Sequence, residues 1–577
     1  MAALATLPYL PSVGHDFVMD DPYYITKNPA VTRGVPLSTY FVDRATGANR
    51  QDYRTWYRPI RTVTFRALVA TAGVAPRAFG LANLALYLGC IALVAAMALR
   101  LAGGDRLAAL AAAAWWAALP VHVEPVSYYS ALGDLLSLLF ELAALMAAAR
   151  AIARARHAWL FGIASFLLAA LALTTKEMAF TEPGLLGLGV LVAWRRLPPD
   201  ARRRAIVQLG AHALLTLAAF EVHRRIVHGF GQGAVTAGAL GHAVVRAPLY
   251  FWAYVRIILW PVGHAAAYAD VHGGPLALAL AWLGLAAVAL LTWRARRPSL
   301  FVALGWFVVS LAPVLHLVPL LSYYADRFAL VPSVGLAFAV AVAVAALKDR
   351  ARTAALAVVG LAVVVGLVAS SVQARAWRDD LTLWQASVAA EPRAALAQSN
   401  LGLSLLREHR PAEALEHLTA AEAIDGKSAA VLVGSAAAHD ALGHGAAAER
   451  AAREAVAADP NDARAHAILG SLLARRGALD DAAAEAGRAR TLNPELASAW
   501  TLSAHLDEVR GHPADALAGW RRAAALVPAN ADYQAEIARL SLVTGDRAGA
   551  AAAAGACLQL RPDHPRCRAL AARAGSP

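Results

Sequence analysis

The amino-acid sequence predicts an all-α protein in two parts, a polytopic bundle of transmembrane helices and, after it, an α-solenoid of short helical repeats. Hydrophobic residues make up 59% of the 577-residue chain and charged residues only 16%, a composition too apolar for a soluble protein of this size. Apolar runs of spanning length fill the first two thirds of the chain, and prolines recur at a fixed spacing in the last third. The first pattern indicates membrane spans and the second indicates stacked helix pairs.

Ten apolar runs are long enough to cross a bilayer as helices. Each is rich in Leu, Ala and Val, is bounded by charge or proline, and lacks the alternation of a barrel strand. The runs are 78–100, 107–122, 129–149, 158–175, 179–194, 205–222, 275–293, 299–319, 328–347 and 353–373. An eleventh run, 246–262, is different because it carries Arg256 and ends with Trp260 and Pro261.

Basic clusters between the runs predict the orientation of the chain in the membrane. The clusters are Arg150, Arg154 and Arg156; Arg195, Arg196 and 202–204; Arg294, Arg296 and Arg297; and Lys348, Arg350 and Arg352. All of them lie in the cytoplasm, as the positive-inside rule requires, only if the 246–262 run does not cross. We therefore expect an interfacial or re-entrant segment there, and we expect the repeats on the extracytoplasmic side.

The same patterns predict the domain boundaries. Residues 1–77 form an extracytoplasmic first loop, 78–374 the transmembrane domain, 375–392 a bridge, and 393–577 five repeats with a capping helix. The first 16 residues form neither a signal peptide nor a span, so we expect the natural start to lie upstream. The Ala-rich and Arg-rich composition indicates a high-GC bacterial gene, which predicts a multi-pass protein of the bacterial inner membrane.

A period of 34 residues marks the last third of the chain as tetratricopeptide repeats. Prolines at 460, 494, 528 and 562 set the period, Pro392 fits it, and the units are 393–426, 427–460, 461–494, 495–528 and 529–562. Position 17 of the units predicts a helix-ending turn at His409, Gly443, Gly477, Gly511 and Gly545. Position 10 is small in every unit, as close packing of antiparallel helices requires, at Gly402, Ala436, Gly470, Ala504 and Ala538. Such an array offers a groove for a peptide, a protein or a second subunit.

Charge and cysteine content exclude several other classes of protein. The net charge of +13 falls mostly in loops between apolar runs, so we expect membrane lipid and no nucleic acid as a partner. Cys90, Cys557 and Cys567 make no disulfide framework and match no zinc-site spacing. A Cys557–Cys567 bridge is open, although two buried free thiols are the favoured interpretation.

Ionisable residues that are costly in lipid gather on the predicted outer side of the membrane. They are Asp20, Asp21, His122, Glu124, Asp134, Lys176, Glu177, Asp270, Asp326 and Arg327. Charges at span ends that face a common cavity predict a functional site. The alternative is that each of them marks a helix end at the water boundary.

Six short motifs follow one another along the chain. They are FVMDDPYYITKNP at 17–29, YRPI at 57–60, LPVHVEPVSYYSALGDLL at 119–136, TKE at 175–177, YADRFALVPSVG at 324–335 and WRDDLTLW at 377–384. In order and sidedness they resemble motifs of GT-C superfamily glycosyltransferases joined to tetratricopeptide repeats, the transmembrane-and-TPR O-mannosyltransferases. The chain departs from that family at Leu132, where Arg is usual, and at Gly80 and Tyr87, where His is frequent.

The resemblance implies a GT-C-like fold and transfer of a mannose-like sugar from polyprenyl phosphate to a hydroxyl, with protein Ser or Thr as acceptor. Asp20 or Asp21 then acts as general base. Donor binding falls to Arg58, His122, Glu124, Lys176, Glu177 and Arg327. No cofactor is expected beyond the donor substrate. Paired acids bind a divalent metal in some GT-C relatives, so a metal stays open, but too few carboxylates converge here to require one.

Two other functions remain open. The spans can anchor a non-catalytic scaffold whose repeats recruit exported proteins, an interpretation that the three departures favour and the retained acids oppose. A GT-C transferase can also act on lipid or polysaccharide instead of protein.

Overall fold

In the computed structural model, the described residues are 2–48, 57–154, 156–227, 237–316 and 324–575. The chain divides into two compact units, Met1–Ala397 and Gln398–Pro577, and each is considered by itself. Helices dominate both units, and none of the described residues lies in a β-strand, which confirms the all-α fold. The end of the predicted run 299–319 lies outside the described residues.

The first unit contains thirteen helices of eleven residues or more within its described ranges. They are α1 Pro59–Ala72, α2 Pro76–Leu101, α3 Arg106–Ala117, α4 Leu132–Ala153, α5 Ala158–Leu173, α6 Glu182–Ala193, α7 Pro199–Val227, α8 Ala237–Leu259, α9 Pro275–Ala295, α10 Pro298–Leu311, α11 Leu330–Ala346, α12 Asp349–Ala376 and α13 Asp380–Ala390. Several begin with proline, whose fixed φ and missing N–H suit the first turn. The residue before α3, Asp105, caps it by accepting a hydrogen bond from the Ala108 N–H at 3.1 Å.

Six helical segments among the described residues are long and apolar enough to cross a membrane. They are Pro76–Leu101, Tyr129–Ala153, Pro199–Ile226, Pro275–Ala295, Asp326–Ala346 and Asp349–Ala376. A seventh span results if Arg106–Ala117 and Pro120–Ser127, which are bent by 59°, cross together. The chain is therefore a multi-pass membrane protein. The remaining predicted runs form shorter helices, and the 246–262 run lies in α8, which is not among the six.

The two ends of this helical unit carry different chemistry. At one end Arg352 pairs with Asp105 at 2.8 Å, and Arg204 donates to the carbonyl of Ile152 at 2.8 Å. These contacts join the start of α12 to the α2–α3 turn and the start of α7 to the end of α4. The predicted acids and their partners lie at the opposite ends of the same helices, so the basic clusters and the candidate site are separated along the helix axes.

The second unit consists of consecutive antiparallel helix pairs that follow the 34-residue period. The helices are α14 Ala395–Arg407, α15 Pro411–Asp425, α16 Ala429–Ala441, α17 Gly445–Ala458, α18 Ala463–Arg475, α19 Leu479–Leu492, α20 Ala497–Val509, α21 Pro513–Leu526, α22 Ala531–Val543, α23 Arg547–Leu560 and α24 Pro565–Gly575. The residue at position 17 has a positive φ in every unit, from 58° at His409 to 86° at Gly477. These turns confirm the predicted ends of the first helices.

Small residues at position 10 allow neighbouring helices to approach closely, both within a pair and between successive pairs. A Cβ at Gly402 of α14 would lie 2.7 Å from Leu418 Cγ of α15, and a Cβ at Gly470 of α18 would lie 2.7 Å from Leu502 Cδ2 of α20. Both distances are shorter than side chains tolerate, so only glycine fits there without rearrangement.

Cys557 and Cys567 form a disulfide, with their Cα atoms 6.2 Å apart. The favoured sequence interpretation of two free thiols is therefore wrong. The bridge joins α23 to the capping helix α24, whose Leu570 also packs in the apolar cluster of the last repeats. Cys90 is a free, buried cysteine in α2.

Candidate functional site

The paired acids of the first loop lie in a tight turn with fixed neighbours. Met19, just before them, has a φ of 54°, a conformation that non-glycine residues rarely adopt. Its backbone N–H donates to Asp380 Oδ1 at the start of α13, at 2.8 Å. The Asp20 carbonyl accepts the N–H groups of Tyr23 and Tyr24 at 2.9 and 3.1 Å. The turn therefore sets the position of both carboxylates.

Asp21 is completely buried and its carboxylate is occupied. Oδ1 accepts the backbone N–H and the hydroxyl of Ser130, at 2.7 and 2.6 Å, and Oδ2 accepts the Val18 N–H at 3.2 Å. Burial nevertheless raises the pKa of Asp21 to about 7, with the charge of Asp20 adding to the rise. Asp20 is only half-buried, and its charge helps to raise the pKa of Tyr24. The two neighbouring acids thus have different surroundings.

Three cations of the site are each paired with a carboxylate from a distant segment. Arg58 and Glu177 form two-pronged hydrogen bonds of 2.7 to 3.0 Å. Arg327 pairs with Glu124 through its guanidinium, and its backbone N–H donates to Glu124 Oε2 at 2.9 Å. Lys176 pairs with Asp134. The pairs are buried or half-buried, and the Arg327 side chain is the most open cation at 19% exposure.

These pairs lie close enough to influence one another. The Phe328 ring lies between two of the cations, with its centroid 4.8 Å from Arg327 Cζ and 5.7 Å from Lys176 Nζ. Burial lowers the pKa of Lys176 to about 8, and the charges of Arg58 and Arg327 add to the decrease while Asp134 opposes it. Burial alone would raise the pKa of Glu177, but Arg58 holds it below its usual value. The cluster contains three cations and three carboxylates, together with Asp20.

Local backbone contacts explain why Arg58 meets Glu177. The Ile60 N–H, in the first turn of α1, donates to the Thr174 carbonyl at 3.2 Å. That bond fixes the start of α1 against the end of α5. The Arg58 side chain, just before α1, therefore faces the Glu177 side chain, just after α5.

His122 lies apart from the ion pairs, inside the bundle. Its Nδ1 is 2.9 Å from the Tyr87 hydroxyl, and its Nε2 is 3.0 Å from Ser333 Oγ. The ring is completely buried and lies 4.4 Å from the Trp116 ring. This position favours a role in packing α2, α3 and α11, and Tyr87 supplies the hydroxyl partner of the imidazole.

Sequence reasoning missed several polar groups around Asp326. Its carboxylate accepts from the Tyr268 hydroxyl at 2.6 Å, contacts His264 Nδ1 at 2.8 Å, and accepts from Gln373 Nε2 at 3.3 Å. The 263–274 segment, which contains two of these residues, carries no repeated spacing that could have identified them. Asp270, in the same segment, pairs with Arg246 of α8 at 2.8 Å.

At two positions where this chain departs from the family that it resembles, the structure gives a steric explanation. A Cβ at Gly80 would lie 3.3 Å from Val13 Cα, so a larger residue would displace the N-terminal segment. Leu132 is completely buried in an apolar cluster with Phe65 and Phe79. Neither position has room for a charged or bulky polar side chain.

One group of possible metal ligands occurs in the described ranges, and it lies far along the chain from these acids. Cys557, His564 and Cys567 have their ligand atoms within 4.8 Å of one another. Because the two sulfurs are joined to each other, the group does not form a metal site in this state.

Comparison with known proteins supports both halves of the sequence interpretation. A family model described as a tetratricopeptide repeat matches residues 405–472. Protein O-mannosyl-transferases Tmtc1 and Tmtc2 of Drosophila melanogaster are 32% and 33% identical over 190 and 188 residues. Protein O-mannosyl-transferase TMTC1 of Mus musculus is 28% identical over 211 residues.

These matches cover 32%, 31% and 35% of the chain and 22%, 20% and 22% of the relatives, so the chain spans less than a quarter of their length. A solved thermophilic TPR protein of Thermus thermophilus is 22% identical, with a TM-score of 0.29, over 31% of this chain and 98% of that chain. The chain is thus a homologue of transmembrane-and-TPR O-mannosyltransferases over about a third of its length, and the resemblance read from its motifs is confirmed.

Proposed function

We propose that the chain transfers a mannose-like sugar from a polyprenyl-phosphate donor to a protein Ser or Thr hydroxyl on the extracytoplasmic face of the membrane. The observation that carries the proposal is a cluster of three ion-paired cations at one end of a multi-pass helical unit. Asp20 is close to this cluster, because the charges of Asp20 and Arg327 both act on Tyr128 and the charges of Asp20 and Arg58 both act on Tyr24. The names of the curated relatives support sugar transfer, and their partial coverage leaves activity and substrates as proposals.

Asp20 serves as the general base in this mechanism. Its half-buried carboxylate takes the proton of the acceptor hydroxyl as the new bond from that oxygen to C1 of the sugar forms. The bond from C1 to the donor phosphate oxygen breaks, and polyprenyl phosphate leaves with the electron pair. One displacement inverts the anomeric centre. Asp21, whose oxygens already accept three hydrogen bonds, positions the turn instead of reacting.

The cations stabilise the charge that develops on the leaving phosphate. Arg327 is the most open of them and can turn its guanidinium toward a phosphate while Glu124 keeps its backbone in place. Arg58 and Lys176 are more enclosed and raise the positive potential of the site from behind their carboxylate partners.

The groove of the repeats presents the acceptor protein. The positive-inside rule supports an extracytoplasmic position for the repeats and for Asp20, since it predicts that the basic clusters lie in the cytoplasm. The Cys557–Cys567 disulfide also supports that side, because disulfides persist in oxidising compartments.

The experiment distinguishes the roles of Asp20 and Asp21, which are adjacent in the sequence. Asp20→Asn and Asp21→Asn are assayed individually in membranes for transfer from a mannosyl polyprenyl phosphate to a Ser/Thr peptide. We expect Asp20→Asn to lower the rate at least 100-fold, roughly the contribution of a general base, at normal protein levels. We expect Asp21→Asn to lower the rate less and to reduce the thermal stability at acidic pH.

Asp16→Asn is the matched control, because Asp16 is an exposed acid in the same segment. Its rate should equal that of the unaltered protein. Unchanged transfer by Asp20→Asn would overturn the assignment of the base. Absence of transfer by the unaltered protein, with every donor sugar tested, would favour the non-catalytic scaffold.

A further inference from the structure

Arg61 is a buried cation to which the mechanism above gives no role. It lies in the first turn of α1 and is only 4% exposed. Its guanidinium hydrogen-bonds to the Tyr24 side chain, but it forms no ion pair with any residue in the described part of the chain, and its Nε has no hydrogen-bond partner there. Arg58, one turn earlier, has Glu177 as its carboxylate partner, so the two arginines differ.

An uncompensated guanidinium in this position is unfavourable. Removal of a charge from water is costly unless a counter-charge accompanies it. The Tyr24 ring, whose centroid is 4.2 Å from Arg61 Cζ, offers a cation–π contact that offsets only part of that cost. The positive charge of Arg58 adds to the cost, while the negative charge of Glu177, which is paired with Arg58, offsets part of it. A bound anion would supply the directly paired counter-charge that no described carboxylate gives to Arg61.

The surroundings of Arg61 suit an anion that is attached to an apolar chain. Tyr24, whose backbone N–H donates to the Asp20 carbonyl, brings the guanidinium near the proposed base. Tyr24 also belongs to the apolar cluster that contains Phe65, Leu132 and Leu136, and the Phe65 ring centroid is 5.6 Å from Arg61 Cζ. A phosphate with a hydrocarbon tail matches a guanidinium that lies beside apolar side chains.

Gly133 provides the space for this side chain. A Cβ at Gly133 would lie 3.0 Å from Arg61 Cδ and 3.2 Å from Arg61 Cγ, so the arginine packs directly on the α4 backbone. Leu132, which precedes it, stands where the resembling family usually has arginine. In this chain a guanidinium reaches the same turn of α4 from α1.

We propose that Arg61 binds the phosphate group of the lipid-linked sugar donor. The proposal rests on the proposed function and adds a binding residue that no motif contains. Arginine suits the task because its planar group can donate two hydrogen bonds to one phosphate and stays charged when buried. Arg61 therefore acts as a donor-binding residue, while Asp20 acts on the acceptor.

The experiment measures lipid binding and thermal stability of the full chain in nanodiscs, without any sugar. The probe is undecaprenyl phosphate, and the variants are Arg61→Met and Arg61→Lys. We expect Arg61→Met to unfold at a higher temperature than the unaltered protein in the absence of the probe, because it removes an uncompensated charge. We expect it to bind the probe at least tenfold more weakly, with Arg61→Lys between the two.

Arg66→Met is the matched control on the same helix. Arg66 donates to the carbonyls of Val31 and Thr32 at 3.2 Å, so its loss should lower stability and leave binding of the probe unchanged. A structural role for Arg61 would give the same result as this control, and that outcome overturns the proposal.

Two further arms identify the source of the phosphate. An equal effect of inorganic phosphate, or of phosphatidylglycerol, on the unaltered protein would overturn the assignment to a polyprenyl-linked donor. Binding through Arg61 without any sugar transfer would support this inference and contradict the proposed function. Transfer by Arg61→Met with an unchanged KM for the donor would contradict this inference alone.

Discussion

Ion pairs in the two units differ in reach and in burial. In the membrane unit the partners are far apart in sequence, with 203 residues between Glu124 and Arg327 and 119 between Arg58 and Glu177. In the repeats most arginine–carboxylate partners lie about one repeat apart or less and are more open to solvent, such as Glu508 and Arg539, which are 31 residues apart and 34% and 31% exposed. Charges thus organise the site in the first unit, whereas apolar packing of small residues organises the second.

The largest effect that we predict is a change with pH in the free energy of unfolding, caused by the buried acid Asp21. Its hydrogen-bond partner Ser130 is 109 residues away in the sequence. Its folded pKa of about 7 lies above the value of an unfolded aspartate. Its stabilising contribution is therefore complete below about pH 4 and is lost as the pH rises through 7, on the order of 4 kcal/mol. The contribution is measured from the thermal unfolding midpoints of the protein in nanodiscs between pH 4.5 and 8.5.

Asp21→Asn provides the comparison for that measurement, because other groups also titrate in this range. The difference between the unaltered protein and the variant should shrink or change sign as the pH rises. Parallel pH profiles of the two proteins would show that Asp21 does not titrate in the folded state.

Glu124→Gln should produce the next largest effect. The change leaves the Arg327 guanidinium, 19% exposed, without its counter-charge but keeps an acceptor for the Arg327 N–H. We expect a loss of about 3 kcal/mol, the lower end of the range for breaking a buried pair. Chemical or thermal unfolding of the purified protein checks it, and an unchanged midpoint would mean that the pair contributes no net stability.

Some of this organisation could be predicted from the sequence, since it depends on local spacing. Span length, the 34-residue period and the turns at position 17 are all short-range patterns, and the helices follow them. The charges of the site were identified as well, because an ionisable residue at the end of an apolar run is conspicuous.

The pairing of those charges could not be predicted, because it depends on helix packing. Asp20 and Asp21 are identical in type and adjacent, yet only Asp21 is fully buried, because the turn at Met19 directs it to Ser130. Arg61 was overlooked for a related reason. It follows directly on the YRPI motif at a helix start, and only the fold shows that it is buried with no ion-pair partner among the described residues.

Within the repeats, the Cys557–Cys567 disulfide should have a moderate effect. It closes a short loop of 10 residues, for which the chain-entropy model gives about 2.7 kcal/mol. We expect a reductant, or Cys557→Ala with Cys567→Ala, to lower the stability of the repeats and to leave the site's unfolding unchanged. Limited proteolysis near α24 measures the first change. Equal protection with and without reductant would contradict the prediction.

Glu508→Gln should have the smallest effect, and it is the counterpart of Glu124→Gln in the repeats. Its partner Arg539 is 31% exposed and Glu508 itself 34%, so water already screens both charges. Arg539 also keeps a second partner, Glu536, at 2.8 Å. We expect a change below about 1 kcal/mol that disappears at high salt. The same unfolding assay decides it: a loss as large as that of Glu124→Gln would mean that charges organise the repeats as well.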